Sequence, residues 1–311
     1  MLKILYKLYF ICFKINYFDK IWERVIIRIV NILLPQYFRL TRFQPSYRLA
    51  NTEKRDETLI VSLTSFPARI RKVWLTIETI LRQTEKPDRI ILWLYNEDFN
   101  GKESLPKKLV NLEKRGLEIR FCDENLMPHL KYFYTMIEYP DSHVITIDDD
   151  VFYPSDLIEK LRKCHKFYQG AIVSAITRQI KVSGNKIMPY DEWQYLSINT
   201  EPSSLNLMMG VGGAFYPKGS IHPDAFKLDN LKRMSLKTDD IWLKFMSLKS
   251  KTAVASISGE FSRFFIPLII ENNRCLMSDN INKGTNVIVL QNLLNHYKLP
   301  LSILDGECKK G

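Results

Sequence analysis

The chain has 311 residues, 46% of them hydrophobic and 25% charged, with a formal net charge of +11. That length buries a full core, and that composition excludes a disordered, collagen-like or disulfide-scaffold protein. Residues 1–55 hold eleven Lys and Arg against three Asp and Glu, so eight of the eleven net positive charges sit there. The remainder is close to balanced, which speaks against a nucleic-acid partner.

Residues 1–50 read as a basic, aromatic-rich helical segment. Lys3, Lys7 and Lys14 fall on one helical face, and Lys20, Arg24 and Arg28 recur every fourth residue on a neighbouring one. No uncharged run approaches the ~18–20 residues of a membrane span. The apolar run Leu8 to Phe13 is too short for a signal-peptide core. Two arrangements fit: helices lying in an anionic membrane surface, or helices packed on the body with solvated charges. The five cysteines, Cys12, Cys122, Cys164, Cys275 and Cys308, show no CxxC spacing, which suits a reducing compartment. The expected location is cytoplasmic, peripheral on the inner face of the membrane.

Pro45 to Asp56 is polar and reads as a linker, after which strands and helices alternate. Thr58–Leu63 is a compact β-branched strand, followed by the loop Thr64-Ser-Phe-Pro-Ala-Arg69. Val73, Trp74, Ile77, Ile80 and Leu81 recur at helical spacing, and Lys86-Pro87 stops that helix. Arg89–Tyr95 is the second strand, ending in Asn96-Glu-Asp98. A helix over Pro106–Arg115 closes on Gly116, Leu117–Phe121 is the third strand, and Leu130–Ile137 is helical. Val144–Ile147 is a fourth, largely apolar strand that runs into Asp148, Asp149 and Asp150. This alternation predicts an α/β fold with a doubly wound, mostly parallel sheet flanked by helices. There is no GxGxxG after the first strand and no GxxxxGK[ST], so a dinucleotide site and a P-loop are disfavoured.

Three adjacent carboxylates repel one another, and strand ends in α/β sheets are where ligands bind. The triplet therefore reads as a site for a hard cation, Mn²⁺ or Mg²⁺, completed by substrate phosphates.

In the second half, Asp156–Tyr168 is a helix and Ala171–Ile176 a strand. Thr177–Ser204 reads as irregular and aromatic, with Tyr190, Trp193 and Tyr195 fit either for sugar faces or for core packing. Met208-Met-Gly-Val-Gly-Gly-Ala-Phe-Tyr216 carries three glycines in four residues, which permits close backbone approach. Lys237-Thr-Asp-Asp240 is a second acidic cluster at a helix start, where capping alone also explains it. Ala253–Ile257 and Phe264–Ile270 are strand-like. Glu271–Asn286 is a polar loop with Arg274 and Lys283, Val287–Tyr297 a last helix, and the end after Pro300 reads as a tail. The organisation expected is a helical segment 1–50, one domain over 57–300 that divides near residue 155 into two halves, and a tail 301–311.

The stretch from Thr58 to Tyr153 resembles GT-A-fold glycosyltransferases, in particular bacterial enzymes that build surface polysaccharide. Ser62-Leu-Thr-Ser-Phe-Pro-Ala-Arg69, Thr84 to Leu94, and His129-Leu-Lys-Tyr-Phe133 before a strand ending in Asp-Asp-Asp-Val carry the likeness. It implies a DxD-type motif at Asp148–Asp150 holding metal on the diphosphate of a nucleotide-sugar. It implies Asp150 as direct ligand, Asp148 on the metal or ribose, and Asp149 beside them; His296, by residue type alone, is a candidate third metal ligand or a structural histidine. Thr64, Ser65, Glu97 and Asp98 would contact base or ribose, and Arg69 and Lys131 the diphosphate, with Arg274 or Lys283 as further cations from the loop. Gly212 and Gly213 would flank the transferred sugar. Asp240 would be general base with Asp239 its neighbour in an inverting reaction; a retaining enzyme would use the pair to bind acceptor. The donor implied is a nucleotide-sugar, a UDP-sugar first among them, and the acceptor a glycan or lipid-linked glycan such as lipopolysaccharide or capsule. Two other readings are a metal-dependent nucleotidyl- or phosphotransferase and a non-catalytic binder of anionic membrane surfaces.

Overall fold

The computed structural model describes residues 2–12, 19–49, 57–261, 265–270 and 284–304. In chain order, α1 (Leu2–Cys12) and α2 (Asp19–Thr41) precede β1 (Leu59–Thr64), α3 (Val73–Leu81), β2 (Arg89–Tyr95), α4 (Lys107–Val110), β3 (Leu117–Cys122), α5 (Phe133–Glu138) and β4 (His143–Thr146). Next come β5 (Val151–Phe152), α6 (Leu157–Phe167), β6 (Ile172–Ser174), β7 (Thr177–Gln179), β8 (Val182–Ser183), β9 (Lys186–Ile187), β10 (Gln194–Tyr195), β11 (Asn199–Ser203) and β12 (Asn206–Met208). The chain continues with β13 (Ala214–Tyr216), α7 (Leu228–Ser235), α8 (Asp239–Lys249), β14 (Val254–Ile257), β15 (Ile266–Pro267) and α9 (Thr285–His296).

The central sheet has eight strands in the order β11-β14-β6-β13-β4-β1-β2-β3. β1 pairs in parallel with β2 on one side and β4 on the other, and β2 with β3. β13 runs antiparallel between β4 and β6, and β11 antiparallel on β14. The predicted mostly parallel α/β sheet with flanking helices is therefore present. Its order reverses at β1: the chain moves out through β2 and β3, then returns to lay β4 on the opposite edge of β1. Such a switch point leaves a crevice beyond the strands' C-terminal ends. β1 ends there at Thr64 and β4 feeds Asp148–Asp150 into the same place.

The buried runs explain the central strands. Ile60, Val61 and Leu63 of β1, and Ile90 to Leu94 of β2, are buried, as fits strands covered on both faces. The region 177–204, which reads as irregular in sequence, instead forms β7–β11. β7 pairs with β10 and β12 in a small antiparallel sheet, and β8 pairs with β9. Pro106–Arg115 is a short α4 followed by a 3₁₀ turn, closed by Gly116 at φ +106°, where glycine is at ease. Of the expected strand Phe264–Ile270, Phe264 lies outside the described residues, and among the described ones only Ile266–Pro267 pairs as strand, on β5. Leu301–Leu304 forms a 3₁₀ turn with Leu304 buried, so the described start of the tail packs on the body.

α1 and α2 pack on the domain. Leu2, Leu5, Tyr6 and Tyr9 are buried, as are Ile26, Val30, Leu34 and Phe38, one stripe at four-residue spacing. Burying one such side chain is worth about 1.5–3 kcal/mol. Arg82 of α3 lies 3.8 Å from the Tyr47 ring centroid and 4.6 Å from that of Phe38, and pairs with Glu78 at 3.0 Å. No described helix is long and apolar enough to cross a membrane.

Candidate active site

The site grows from the bend that follows β4, in which the three carboxylates of Asp148–Asp150 are unequally buried. Asp148 and Asp150 are half-buried and face the crevice, whereas Asp149 between them is buried. Asp149 accepts from Ser65 Oγ at 2.5 Å and from Arg69 at 2.7 Å, and its backbone carbonyl accepts from Thr76 Oγ1 at 2.9 Å. Burial pushes its carboxyl up, and the Arg69 guanidinium opposes that. Ser65 and Arg69 are thus tied to the triplet. Arg69 also lies 2.8 Å from Asp150, and the surrounding charges push its own titration up against burial. Asp150 is pushed up to about 6, by burial first and the Asp148 charge second.

Lys131 ends the 3₁₀ turn Met127–Lys131, which leads into α5, and is buried. Its Nζ lies 2.8 Å from Asp148 Oδ1 and 2.7 Å from Asp239 Oδ2. One ammonium therefore joins the two acidic clusters, 91 positions apart in sequence, into one cleft. Burial disfavours its charge, but the carboxylates outweigh that and hold it well above the usual lysine range.

Asp239 and Asp240 open α8. Burial opposes the Asp239 charge, but Lys131 and His129 hold its carboxyl below the usual range. Asp240 accepts the Gly210 N–H at 3.0 Å and is pushed up to about 8, by burial first and the Asp239 charge second. Beneath them His129 is buried, bonded to Tyr132 Oη and the Ser235 carbonyl, both at 2.8 Å, and burial pushes it down to about 4.

β13 runs antiparallel to β4 with Ala214 opposite Thr146, so residues 210–213 lie alongside the triplet. Gly212 and Gly213 are explained by packing. A Cβ at Gly212 would meet Ile176 at 2.6 Å, and Gly213 sits at φ +84° with Leu157 3.2 Å from its missing Cβ. Gly210, which sequence reasoning did not single out within the cluster, is the glycine of the site. A Cβ there would collide with the Lys131 ammonium.

The other candidates are more dispersed. Thr64 donates to the Trp93 carbonyl at 2.9 Å and is half-exposed at the end of β1. Glu97 and Asp98 are exposed in the turn after β2, one strand away, where Glu97 accepts from Tyr95. His296 is exposed beside Tyr297, whose ring packs 3.9 Å from Lys249 Nζ at the far end of α8 from Asp240. An eleven-residue helix spans about 16 Å, so the structure does not bring His296 to the triplet. Arg274 and Lys283 lie outside the described residues. Trp193 is core, whereas Tyr190 and Tyr195 sandwich Arg178 with centroids 4.2 and 4.3 Å from its guanidinium carbon. Cys122 and Cys164 are free thiols.

The donor set suits a hard cation. Asp148 and Asp150 each turn one oxygen to a basic side chain at 2.8 Å, and each has a second oxygen. Five carboxylates, Asp148–Asp150, Asp239 and Asp240, face two cations, so the cleft carries surplus negative charge. Among the described residues no three His, Cys, Asp or Glu side chains converge on one point. The protein would supply two carboxylates at most, and the rest of the shell would be water and phosphate, the usual manner of Mg²⁺ at phosphate sites.

No family model matches the chain, and no curated protein does. Solved structures of similar shape include the mannosyltransferase PcManGT from Pyrobaculum calidifontis, in complex with GDP-Man and Mn²⁺, at 13% identity and TM-score 0.46, covering 83% of this chain and 71% of that one. TarS 1-349 of S. aureus aligns at 11% identity and TM-score 0.43, covering 66% and 59%. A 4-diphosphocytidyl-2C-methyl-D-erythritol synthase from Anaerococcus prevotii aligns at 17% and TM-score 0.43, covering 76% and 98%. Likenesses at this level decide neither family nor activity, which rest on the side chains of the cleft.

Proposed function

We propose that this chain is a metal-dependent glycosyltransferase that moves a sugar from a nucleotide-diphosphate sugar, a UDP-sugar first among the candidates, onto a glycan or lipid-linked glycan. One observation carries the reading: Lys131 joins the Asp148–Asp150 strand end to the Asp239–Asp240 helix start. Two carboxylate groups in one cleft are what a transferase needs to hold a metal on a diphosphate on one side and to accept a proton on the other.

Asp148 and Asp150 would hold Mn²⁺ or Mg²⁺, which when bound supplies electrostatic stabilisation to the departing diphosphate. Asp149 keeps the strand end in place through Ser65 and Arg69. Asp240, oriented by the Gly210 N–H, takes the proton of the acceptor hydroxyl as that oxygen bonds to the anomeric carbon and the carbon–oxygen bond to the diphosphate breaks. Its raised affinity for protons makes it a stronger base than an ordinary carboxylate. The sugar carbon inverts. The reading includes a peripheral position at the cytoplasmic face of an anionic membrane, and the eight net positive charges of residues 1–55 support it.

The test is a panel of nucleotide-sugars assayed for Mn²⁺- or Mg²⁺-dependent thermal stabilisation and turnover. One donor that stabilises the protein only with metal, and is turned over, supports the reading. Full turnover in chelator, or by Asp150→Ala, overturns it.

A further inference from the structure

A second groove lies between α2 and the start of α3. It encloses about 430 Å³, and Arg28, Arg39, Arg71, Lys72 and Lys108 line it. Ile32, Pro35 and Trp74 contribute apolar surface. No acidic side chain lines it. Among the described residues these cations meet only neutral groups: Lys72 donates to the Ile269 carbonyl at 2.5 Å, Arg39 to Gln36 at 3.3 Å, and Lys108 lies 5.4 Å from the Trp74 ring centroid. Five uncompensated cations around an apolar floor call for an anion carrying an apolar part.

The outer face of α2 says what that anion is attached to. The helix buries Ile26, Val30, Leu34 and Phe38, yet its opposite side is also apolar: Ile21, Trp22, Val25, Ile29, Ile32, Leu33 and Leu40 are exposed, with Ile21 70%, Ile32 66% and Leu40 82% accessible. At 100° per residue Arg28 and Arg39 stand at one margin of that outer strip, and Ile32 belongs to both strip and groove. A second copy of the chain is a poor occupant, because a two-fold contact would set these arginines against one another. An anionic bilayer satisfies both halves at once, phosphate toward the cations and acyl chains toward the strip.

We propose that the groove between α2 and α3 is a headgroup site for an anionic phospholipid, and that the outer strip of α2 seats in the acyl boundary beside it. The proposal deepens the peripheral placement given above, and the two fail separately. The experiment uses the full chain and sedimentation with phosphatidylcholine vesicles, with and without phosphatidylglycerol. Binding is expected only with phosphatidylglycerol. Arg28→Gln/Arg39→Gln/Lys108→Gln, all at exposed positions, is expected to weaken it about a hundredfold while the far-ultraviolet spectrum and melting stay unchanged. If that variant is misfolded, quenching decides: brominated acyl chains should quench the wild-type protein, and Trp22→Phe should lose that quenching. No binding to either vesicle overturns both the site and the peripheral placement. Binding unaffected by the triple substitution, or absence of Trp22 quenching, overturns the site alone. Equal occupancy by millimolar inorganic phosphate, read as release of bound vesicles, assigns the groove to a soluble phosphate and overturns the lipid.

Discussion

Lys131 Nζ stands 2.7 Å from Asp239 Oδ2, and it holds the start of α8 against the switch point of the sheet. Removing that ammonium leaves Asp148 and Asp239 facing each other without compensation. Breaking a buried pair from one side costs about 3–5 kcal/mol. Lys131→Met is therefore expected to lose stability of that order in urea denaturation at pH 7, and to lose activity with it.

Gly210→Ala disturbs the same contact more gently. The atom a new Cβ would meet is the tip of a flexible lysine, which can withdraw, rather than backbone. The ammonium is shifted rather than removed, so stability should fall by less than in Lys131→Met, while turnover falls about tenfold or more as the ammonium is displaced from the carboxylates it bridges. A variant that melts like wild type and keeps full turnover would remove Gly210 from the site.

The pH dependence follows from Asp240. Its carboxyl is pushed up to about 8, so below that pH it holds the proton that a base must lack. In the free enzyme kcat/KM is expected to rise about tenfold per pH unit toward pH 8 and then level. Asp240→Asn should be nearly inactive and lose this dependence. A profile flat from pH 6 to 8 in the wild type would contradict the assignment.

Much of this was readable in the sequence, and the division has physical causes. The central strands β1, β2 and β4 announce themselves as largely apolar runs, because both faces of a covered parallel sheet are buried, whereas β3 at the sheet edge alternates apolar with charged residues. The two acidic clusters are visible as clusters. That they share Lys131 is not, since the contact depends on how a strand end and a helix start 91 positions apart come to one crevice. β8, β9 and β10 have two residues each, too few for an alternation to register. Among three glycines in four residues, spacing alone does not tell the one beside Lys131 from the two that make room for Ile176 and Leu157. Arg178 between Tyr190 and Tyr195 joins three elements by pairing across β7 and β10, and no local pattern announces it.

Lys244, in the middle of α8, is fully buried, and among the described residues its Nζ has no hydrogen-bond partner. Burial pushes its titration down to about 7, against about 10.4 in an unfolded chain. Between those values the unfolded chain holds a proton that the folded one lacks, so this residue makes stability rise with pH across that window. Lys244→Met is expected to stabilise the protein by about 1–4 kcal/mol near neutral pH. Denaturation midpoints at pH 7 and 9 measure it, and the variant should show the smaller difference between the two.

The hydroxyl of Tyr6 donates to the Phe152 carbonyl, 146 positions later, and accepts the N–H of Ile266, 260 positions later. Phe152 lies two residues past Asp150. The first turns of the chain thus clasp the strand pair beside the triplet, and that clasp closes only when residue 266 is available. During synthesis at about 5–20 residues per second, α1 waits for the 260 positions that separate Tyr6 from Ile266 before this partner exists. Its apolar side chains spend that interval uncovered beside the ribosome, where a membrane or a chaperone reaches them before the rest of the protein does.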